Sequence, residues 1–270
     1  MSSPLNGICI KIDRANKHLA DLTTAISRFE AGKPFDVVTD MESHPPYEVY
    51  RFAQRDPIPV EWSALIGDCV HNARSALDHL AVALVVHGGG SPTQYTAFPV
   101  GRDEPDFVSR LQSRLNGASQ SAIEIIRKLK PYGGADSAIY NLHCIDIIDK
   151  HESLIPVAAA HSMWGFQWDI RQPKIPYFPP QMLQGAAPER KFPLKDGDIL
   201  GSYHRKTGKG IEDKTRFDFG FEIAFGEGQI FDGDPVVPTL KQHVEFIEDV
   251  TAAFASEVFG VLSYSHRQVR

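Results

Sequence analysis

The chain has 270 residues and a net charge of −6 at neutral pH. This acidic balance argues against a protein that coats nucleic acid through clustered Lys and Arg, but it leaves room for a small basic site. With 42% hydrophobic and 23% charged residues, the composition is that of a soluble globular protein. Three cysteines far apart in sequence predict free thiols, and no signal-peptide or membrane-spanning pattern is present. We therefore expect a cytoplasmic protein with no membrane contact.

The first half of the chain predicts mostly helices. Apolar residues at helical spacing predict an amphipathic helix over 8–31, ended by Gly32. Two short extended segments, 35–39 and 47–53, predict a β-hairpin. Further helices are expected over 61–86, 103–116, 119–130 and 137–152.

The second half of the chain differs from the first in composition and in hydrophobic periodicity. Residues 171–195 contain six prolines and predict a long irregular connection. Residues 216–225 alternate strictly and predict a strand, with the segments 199–203 and 229–231 as its expected partners. Its apolar face would carry Phe217, Phe219, Phe221, Ile223 and Phe225. A last helix is expected from Pro238 to about Phe259.

These elements predict an α+β fold with no internal repeat. We expect a helical core domain over 1–152 that includes the hairpin, and a β-rich region over 153–235. The C-terminal helix, in 236–270, is expected to pack back on the core.

The segment GDCVHNARSALDHL, residues 67–80, places an unusual polar cluster on an otherwise apolar helix. On a helical wheel the polar arc is centred near His71, with Arg74 and His79 towards its two edges. Beyond His79 the same arc carries Val82, Val85 and Val86. This change predicts that the C-terminal half of the helix is buried on all sides and that the cluster borders a buried region.

A second polar cluster occurs in NLHCIDIIDKHE, residues 141–152, where apolar residues occupy almost every angle of the predicted helix. We expect this helix to be largely enclosed and to lie beside the first. Buried polar groups need partners. The sequence therefore predicts that Arg74 faces Asp146 or Asp149.

The spacing R-x4-H, from Arg74 to His79, resembles the signature of the HEPN family of helical ribonucleases. The resemblance covers this helix and its helical surroundings, and it implies metal-independent RNA cleavage at the interface of a homodimer, in a defence or toxin role. It implies that Arg74 stabilises the phosphate and that His79 moves protons. The remaining candidates are Asn72, Asp78 and His71 at the catalytic site, and Ser75, Lys150, Arg205 and Lys206 as substrate-binding residues. The segments GDxxHNxRSALDHL and IDKH also resemble an uncharacterised bacterial family, and this similarity implies no activity.

The chemistry that the resemblance implies is physically consistent. Cleavage at a 2′-hydroxyl needs a group that titrates near neutral pH and a fixed cation beside the phosphate. RNA is then the expected partner, and no cofactor is expected. Residues 204–216 form a basic loop that could contact phosphate.

Two other interpretations remain open. The polar cluster could be a buried network that fixes how helices pack, in a binding or structural protein. In that case the β-rich half, with its alternating Trp164, Phe166 and Trp168, would engage the partner. A metal-dependent hydrolase is the third alternative, with His71, His143, Asp146, Asp149 and His151 as ligands, although no recognised metal-binding spacing is present.

Overall fold

The computed structural model has an α+β fold with a helical N-terminal half, as the sequence predicts. It describes residues 5–43, 45, 47–152, 154–163, 193–204 and 218–261. The chain forms two compact units that alternate along the sequence. The first comprises Met1–Thr24, Glu61–Leu154 and Val236–Arg270, and the second comprises Ala25–Val60 and Ile155–Pro235.

The described helices are α1 (Asn6–Ala31), α2 (Trp62–His87), α3 (Glu104–Arg114), α4 (Gln120–Leu129), α5 (Ala138–His151) and α6 (Val236–Glu257). The described strands are β1 (Phe35–Asp40), β2 (Tyr47–Gln54), β3 (Pro156–Met163), β4 (Ile199–His204) and β5 (Asp218–Phe225). No helix in this part of the chain is long and apolar enough to cross a membrane.

Helix α2 is the centre of the first unit and packs against both α5 and α6. Its apolar arc is buried as the periodicity predicts, with Ile66, Leu77 and Leu80 at 1% exposure or less. Burial of a side chain of this size contributes roughly 1.5–3 kcal/mol. Helix α6 begins two residues before the predicted start, because Pro238 is tolerated in the first turn of a helix.

Three of the described helices in this unit have a side-chain N-cap. Each capping oxygen accepts a hydrogen bond from a backbone N–H in the first turn, which would otherwise have no partner. The pairs are Asp103 with Asp106 at α3, Ser119 with Ala122 at α4, and Ser137 with Tyr140 at α5. The cap at Ser137 fixes where α5 begins.

The described strands of the second unit form two antiparallel sheets, one in the order β1-β2-β4 and one that pairs β3 with β5. The predicted pairing of 199–203 with β5 is wrong, because β4 pairs with β2 instead. Residues 229–231 are not a strand either. They lie in a turn in which the backbone N–H of Gln229 donates to Asp232. The alternation of apolar and polar residues predicted strand β5, but it carried no information about which strand pairs with it.

The apolar side chains of both sheets form one core within the second unit. Phe52 is 1% exposed and its ring lies 5.2 Å from that of Phe221. On β5, Ile223 and Phe225 are buried, which agrees with the predicted apolar face. Phe217 lies outside the described residues, as do the side-chain details of Phe219.

The hairpin belongs to the second unit and not to the helical core, so its predicted place in the core domain is corrected. The reason is the pairing of β2 with β4, which completes a sheet that the hairpin alone would lack. Helix α6 belongs to the helical unit.

The prediction that the C-terminal half of α2 is buried on all sides is wrong. Val85 is buried, but Val82 is 38% exposed and Val86 is 54% exposed. Helix α5 is also enclosed on one face only, since Ile147 is 43% exposed. The polar cluster therefore lies beside a surface that solvent reaches.

Candidate functional site

Helices α2 and α5 approach closely at Gly67, and this contact brings their polar residues together. A Cβ atom added to Gly67 would overlap the Asp149 carboxylate, so the absence of a side chain at Gly67 leaves room for this carboxylate. Gly67 is one turn before His71, and Asp149 is one turn after Asp146. The close approach therefore positions His71 opposite Asp146.

His71 and Asp146 form a hydrogen-bonded pair, with Nδ1 of the imidazole 3.1 Å from Oδ1 of the carboxylate. The His71 side chain is 49% exposed, whereas the Asp146 side chain is 3% exposed. Lys150 donates to the other carboxylate oxygen, Oδ2, at 2.5 Å. Because both oxygens of Asp146 are bonded, this buried carboxylate can hold the imidazole in a fixed orientation.

The second nitrogen of the His71 ring faces solvent and a hydroxyl group. Ser75 lies one turn further along α2, and its Oγ is 3.4 Å from Nε2 of His71. When Nδ1–H donates to the Asp146 carboxylate, Nε2 of the neutral ring carries the lone pair and can accept a proton. We call the five residues His71, Ser75, Asp146, Asp149 and Lys150 the acid–base cluster.

Asp149 is the second acidic group of this cluster. Burial raises the pKa of its carboxyl, and the negative charges of Asp146 and Asp68 raise it further. His71 and Lys150 act in the opposite direction. A carboxyl whose pKa is raised beside a histidine is suited to exchange protons with bound molecules.

Arg74 lies in a different arrangement, which we call the Arg74 clamp. Its guanidinium donates to Oδ1 of Asp78 at 2.7 Å and to the carbonyl of Phe98 at 3.2 Å. The backbone N–H of Phe98 donates to the same Asp78 oxygen at 2.9 Å. The expected partners of Arg74, Asp146 and Asp149, are wrong, because Asp78 lies one turn away on the same helix and His71 takes Asp146.

The third donor of Arg74, Nε, lies 3.4 Å from Nδ1 of His143. Burial, followed by the charge of Arg74, lowers the pKa of His143 to about 4. His143 is therefore neutral at pH 7 and accepts this hydrogen bond. With Arg74 only 7% exposed and each of its three nitrogens in one hydrogen bond, the clamp fixes packing between α2, α5 and the segment around Phe98.

His79 lies apart from these groups. It is exposed and borders the start of α1, where a Cβ added to Gly7 would lie 2.8 Å from Nδ1 of His79. Residues five apart on a helix differ by about 140° in direction. Within this chain, the contacts of Arg74 and those of His79 involve different neighbours, and no shared contact brings the two together among the described residues.

Helix α1 contributes two residues that the sequence analysis missed. Lys11 donates to Oδ1 of Asn72 at 3.4 Å, and Asn72 donates to the backbone carbonyl of Asp68 at 2.7 Å. Nδ1 of His18 lies 3.9 Å from Oδ2 of Asp68. Lys11 and His18 are two turns apart and flank the apolar stripe of α1. A helical wheel of α1 could therefore have predicted that both lie beside the neighbouring helix.

The alternative metal-ligand set is not assembled in this structure. Among the described residues, no three His, Cys, Asp or Glu side chains come together in a way that would hold a metal ion. His143 faces the Arg74 guanidinium, and Asp146 is bonded to His71 and Lys150. His151 is exposed at the end of α5.

Several other predicted features lie outside the described residues. These are the basic-loop residues Arg205 and Lys206, and the alternating aromatic residues Trp164, Phe166 and Trp168. Most of the proline-rich connection over 171–195 lies outside them as well.

The comparisons with known proteins give no relative for this arrangement. No protein-family model, no curated protein and no solved structure matches the chain.

Proposed function

We propose that the protein cleaves RNA without a metal ion and that His71 moves the proton in this reaction. The observation that carries the proposal is the pair of exposed His71 and buried Asp146. An imidazole that is oriented by a buried carboxylate and open to solvent at its other nitrogen has the arrangement that general acid–base catalysis requires. The resemblance of this helix to HEPN ribonucleases supports the choice of RNA as substrate.

The proposed step is an attack of the RNA 2′-hydroxyl on the adjacent phosphorus. Nε2 of His71 takes the proton of the hydroxyl while the new O–P bond forms and the bond to the 5′-oxygen breaks. Asp149, in its protonated form, supplies the proton that the leaving 5′-oxygen needs. The products are a 2′,3′-cyclic phosphate and a free 5′-hydroxyl, so no water or other co-reactant is consumed.

Lys150 provides the cation for the phosphate. Its side chain is 49% exposed, and its bond to Asp146 engages one of the three donors of the ammonium group. A fixed positive charge beside the phosphorane stabilises the negative charge that develops there. In this proposal Arg74 is a positioning residue, because the clamp holds it away from solvent.

Cleavage of a single-stranded RNA in the presence of EDTA tests the proposal. The wild type should cut RNA and leave DNA of the same sequence intact, because DNA lacks the 2′-hydroxyl. We expect His71→Gln to lower the rate by at least about 100-fold, the usual contribution of a proton-transfer group. His151→Gln, on the exposed end of the same helix pair, is the matched control and should retain the rate.

Absence of cleavage by the wild type, or equal rates for wild type and His71→Gln, would contradict the proposal. The cytoplasmic location, the homodimer and the defence or toxin role are parts of the same proposal. Light scattering after size-exclusion chromatography measures the oligomeric state.

A second candidate function is favoured by the Arg74 clamp. Arg74 and Asp78 satisfy the backbone of Phe98 completely, which is what a network that fixes helix packing would do. In this case the protein is a non-catalytic binding or structural protein. His71→Gln would then leave every activity assay unchanged, while Arg74→Ala would still destabilise the fold.

A further inference from the structure

A cavity in the second unit has the features of a ligand site. Its volume is about 480 Å³, within the range of roughly 300–1,000 Å³ that small-molecule sites occupy. Its lining residues come from the end of α1, the turn into β1, the end of β2, and β5. They are Glu30, Lys33, Pro34, Phe35, Asp36, Arg55 and Phe221.

Two aromatic rings form the apolar part of this lining. The ring centroids of Phe35 and Phe221 lie 5.8 Å apart in an edge-to-face arrangement. Both side chains are only partly buried, and both pack against the core around Phe52. Partly exposed aromatic rings on a rigid sheet provide a surface on which a planar ring can stack.

The charged groups of the lining are two cations, Lys33 and Arg55, and two carboxylates, Glu30 and Asp36. Arg55 is paired with Asp36, and Lys33 also lies close enough to lower the pKa of that carboxyl, after the larger effect of the Val37 backbone N–H. Two cations therefore face one carboxylate. The second carboxylate belongs to Glu30, whose pKa is raised by burial and by the nearby Glu222.

The backbone at Lys33 is held in a conformation that side chains rarely adopt. Its φ is +55°, in the left-handed region that favours glycine. The N–H of Arg55 donates to the carbonyl of Pro34 at 2.7 Å, which anchors the turn next to Lys33. Strain of this kind persists where the surrounding structure fixes it, and it is concentrated at binding sites.

We propose that this cavity binds a mononucleotide whose base carries an exocyclic amine, such as AMP. The base stacks on the face of one of the two rings, Phe35 or Phe221, and contacts the edge of the other, and its amine donates to Glu30. The phosphate binds Lys33 and Arg55. This site lies in the second unit and is independent of the acid–base cluster, so it goes beyond the proposed RNA cleavage.

Titration of the full-length protein with AMP, followed by calorimetry and ligand-observed NMR, tests this site. IMP is the matched ligand control, because it carries a carbonyl where AMP carries the amine. Ribose 5-phosphate tests the contribution of the base. We expect AMP to bind at least about tenfold more tightly than either, the effect of losing one charge-assisted hydrogen bond or more.

Two variants connect the binding to named side chains. Glu30→Gln and Lys33→Gly should each weaken AMP binding by about tenfold, since each removes one charged contact. Lys33→Gly also relieves the left-handed backbone, so its urea midpoint should rise and loss of fold cannot explain its loss of binding. Arg28→Gln, on the last turn of α1 and outside the lining, should bind like the wild type.

The absence of AMP binding at millimolar concentration would overturn the proposal. Equal binding of AMP, IMP and ribose 5-phosphate would also overturn it, because the base would then make no contact. Wild-type affinity in either Glu30→Gln or Lys33→Gly would have the same consequence.

Discussion

Arg74 and Asp78, one turn apart on α2, bind the two backbone polar groups of the same residue, Phe98. Arg74 donates to the Phe98 carbonyl at 3.2 Å, and Asp78 accepts from the Phe98 N–H at 2.9 Å. The two side chains are themselves joined at 2.7 Å. This closed arrangement explains why a buried arginine is stable here: its charge and the backbone it faces are all paired.

Removal of the guanidinium should destabilise the protein strongly. Arg74→Ala leaves Asp78 and the Phe98 carbonyl without their partner, and we expect the free energy of unfolding to fall by about 3 kcal/mol. Arg110→Ala is the control, because Arg110 forms a similar pair with Asp106 on a more exposed helix face. That change should cost only about 0.5 kcal/mol. Urea unfolding measures both, and similar losses would contradict the role of the clamp.

The contact between Gly67 and Asp149 should tolerate no side chain. Gly67→Ala would force the Asp149 carboxylate and α5 away from α2, at a cost of about 1–3 kcal/mol. The double variant Gly67→Ala/Asp149→Ala should recover part of this loss, because the overlapping group is then absent. Thermal unfolding of the single and double variants tests the contact. If the two changes are simply additive, the close approach at Gly67 is not what limits the packing.

His143 should remain neutral far below the usual range of histidine. Its pKa is about 4 in the folded protein, against an ordinary value of 6.5. The unfolded chain therefore binds this proton first, and the stability that His143 contributes falls as the pH drops from about 6.5 to about 4. NMR titration of the imidazole measures the pKa directly. A His143 midpoint near 6.5 would show that the ring is not buried against Arg74.

The contribution of Asp149 to stability should depend on pH in the opposite direction. Because its pKa is raised in the folded state, the folded protein binds this proton more readily than the unfolded chain does. Stability is therefore lost as the pH rises through the raised pKa. Asp149→Asn should gain stability over the wild type at pH 7 and show a smaller gain at pH 4. Urea midpoints at the two pH values measure this, and a gain that does not change with pH would count against the raised pKa.

Local patterns in the sequence predicted the helices and the hairpin well. The apolar stripe of α2 and the bounds of this helix follow from residue spacing and from backbone conformations that are decided within a few turns. The partners of the strands could not be predicted in this way. The sequence does not indicate whether β4 pairs with β2 or with β5. Strands pair through backbone hydrogen bonds at their edges, and the packing of the whole unit selects the partner.

The contacts between the polar residues of α2 and α5 could not be predicted from the sequence. The sequence predicts Asp146 or Asp149 as the partner of Arg74, whereas the observed partner, Asp78, lies one turn away on the same helix. The absence of a side chain at Gly67 leaves room for the Asp149 carboxylate of α5, and a helical wheel of one helix carries no information about such a contact. For the same reason the sequence favoured His79, whereas the structure gives the buried carboxylate to His71.

The most direct test of the account compares the two histidines in one assay. The initial rate of RNA cleavage in EDTA should be measured for the wild type, His71→Gln and His79→Gln, with each rate divided by the folded fraction of the variant. The account predicts a loss of at least about 100-fold for His71→Gln and a rate close to that of the wild type for His79→Gln. A loss confined to His79→Gln would contradict it and would restore the Arg74–His79 motif as the reaction centre.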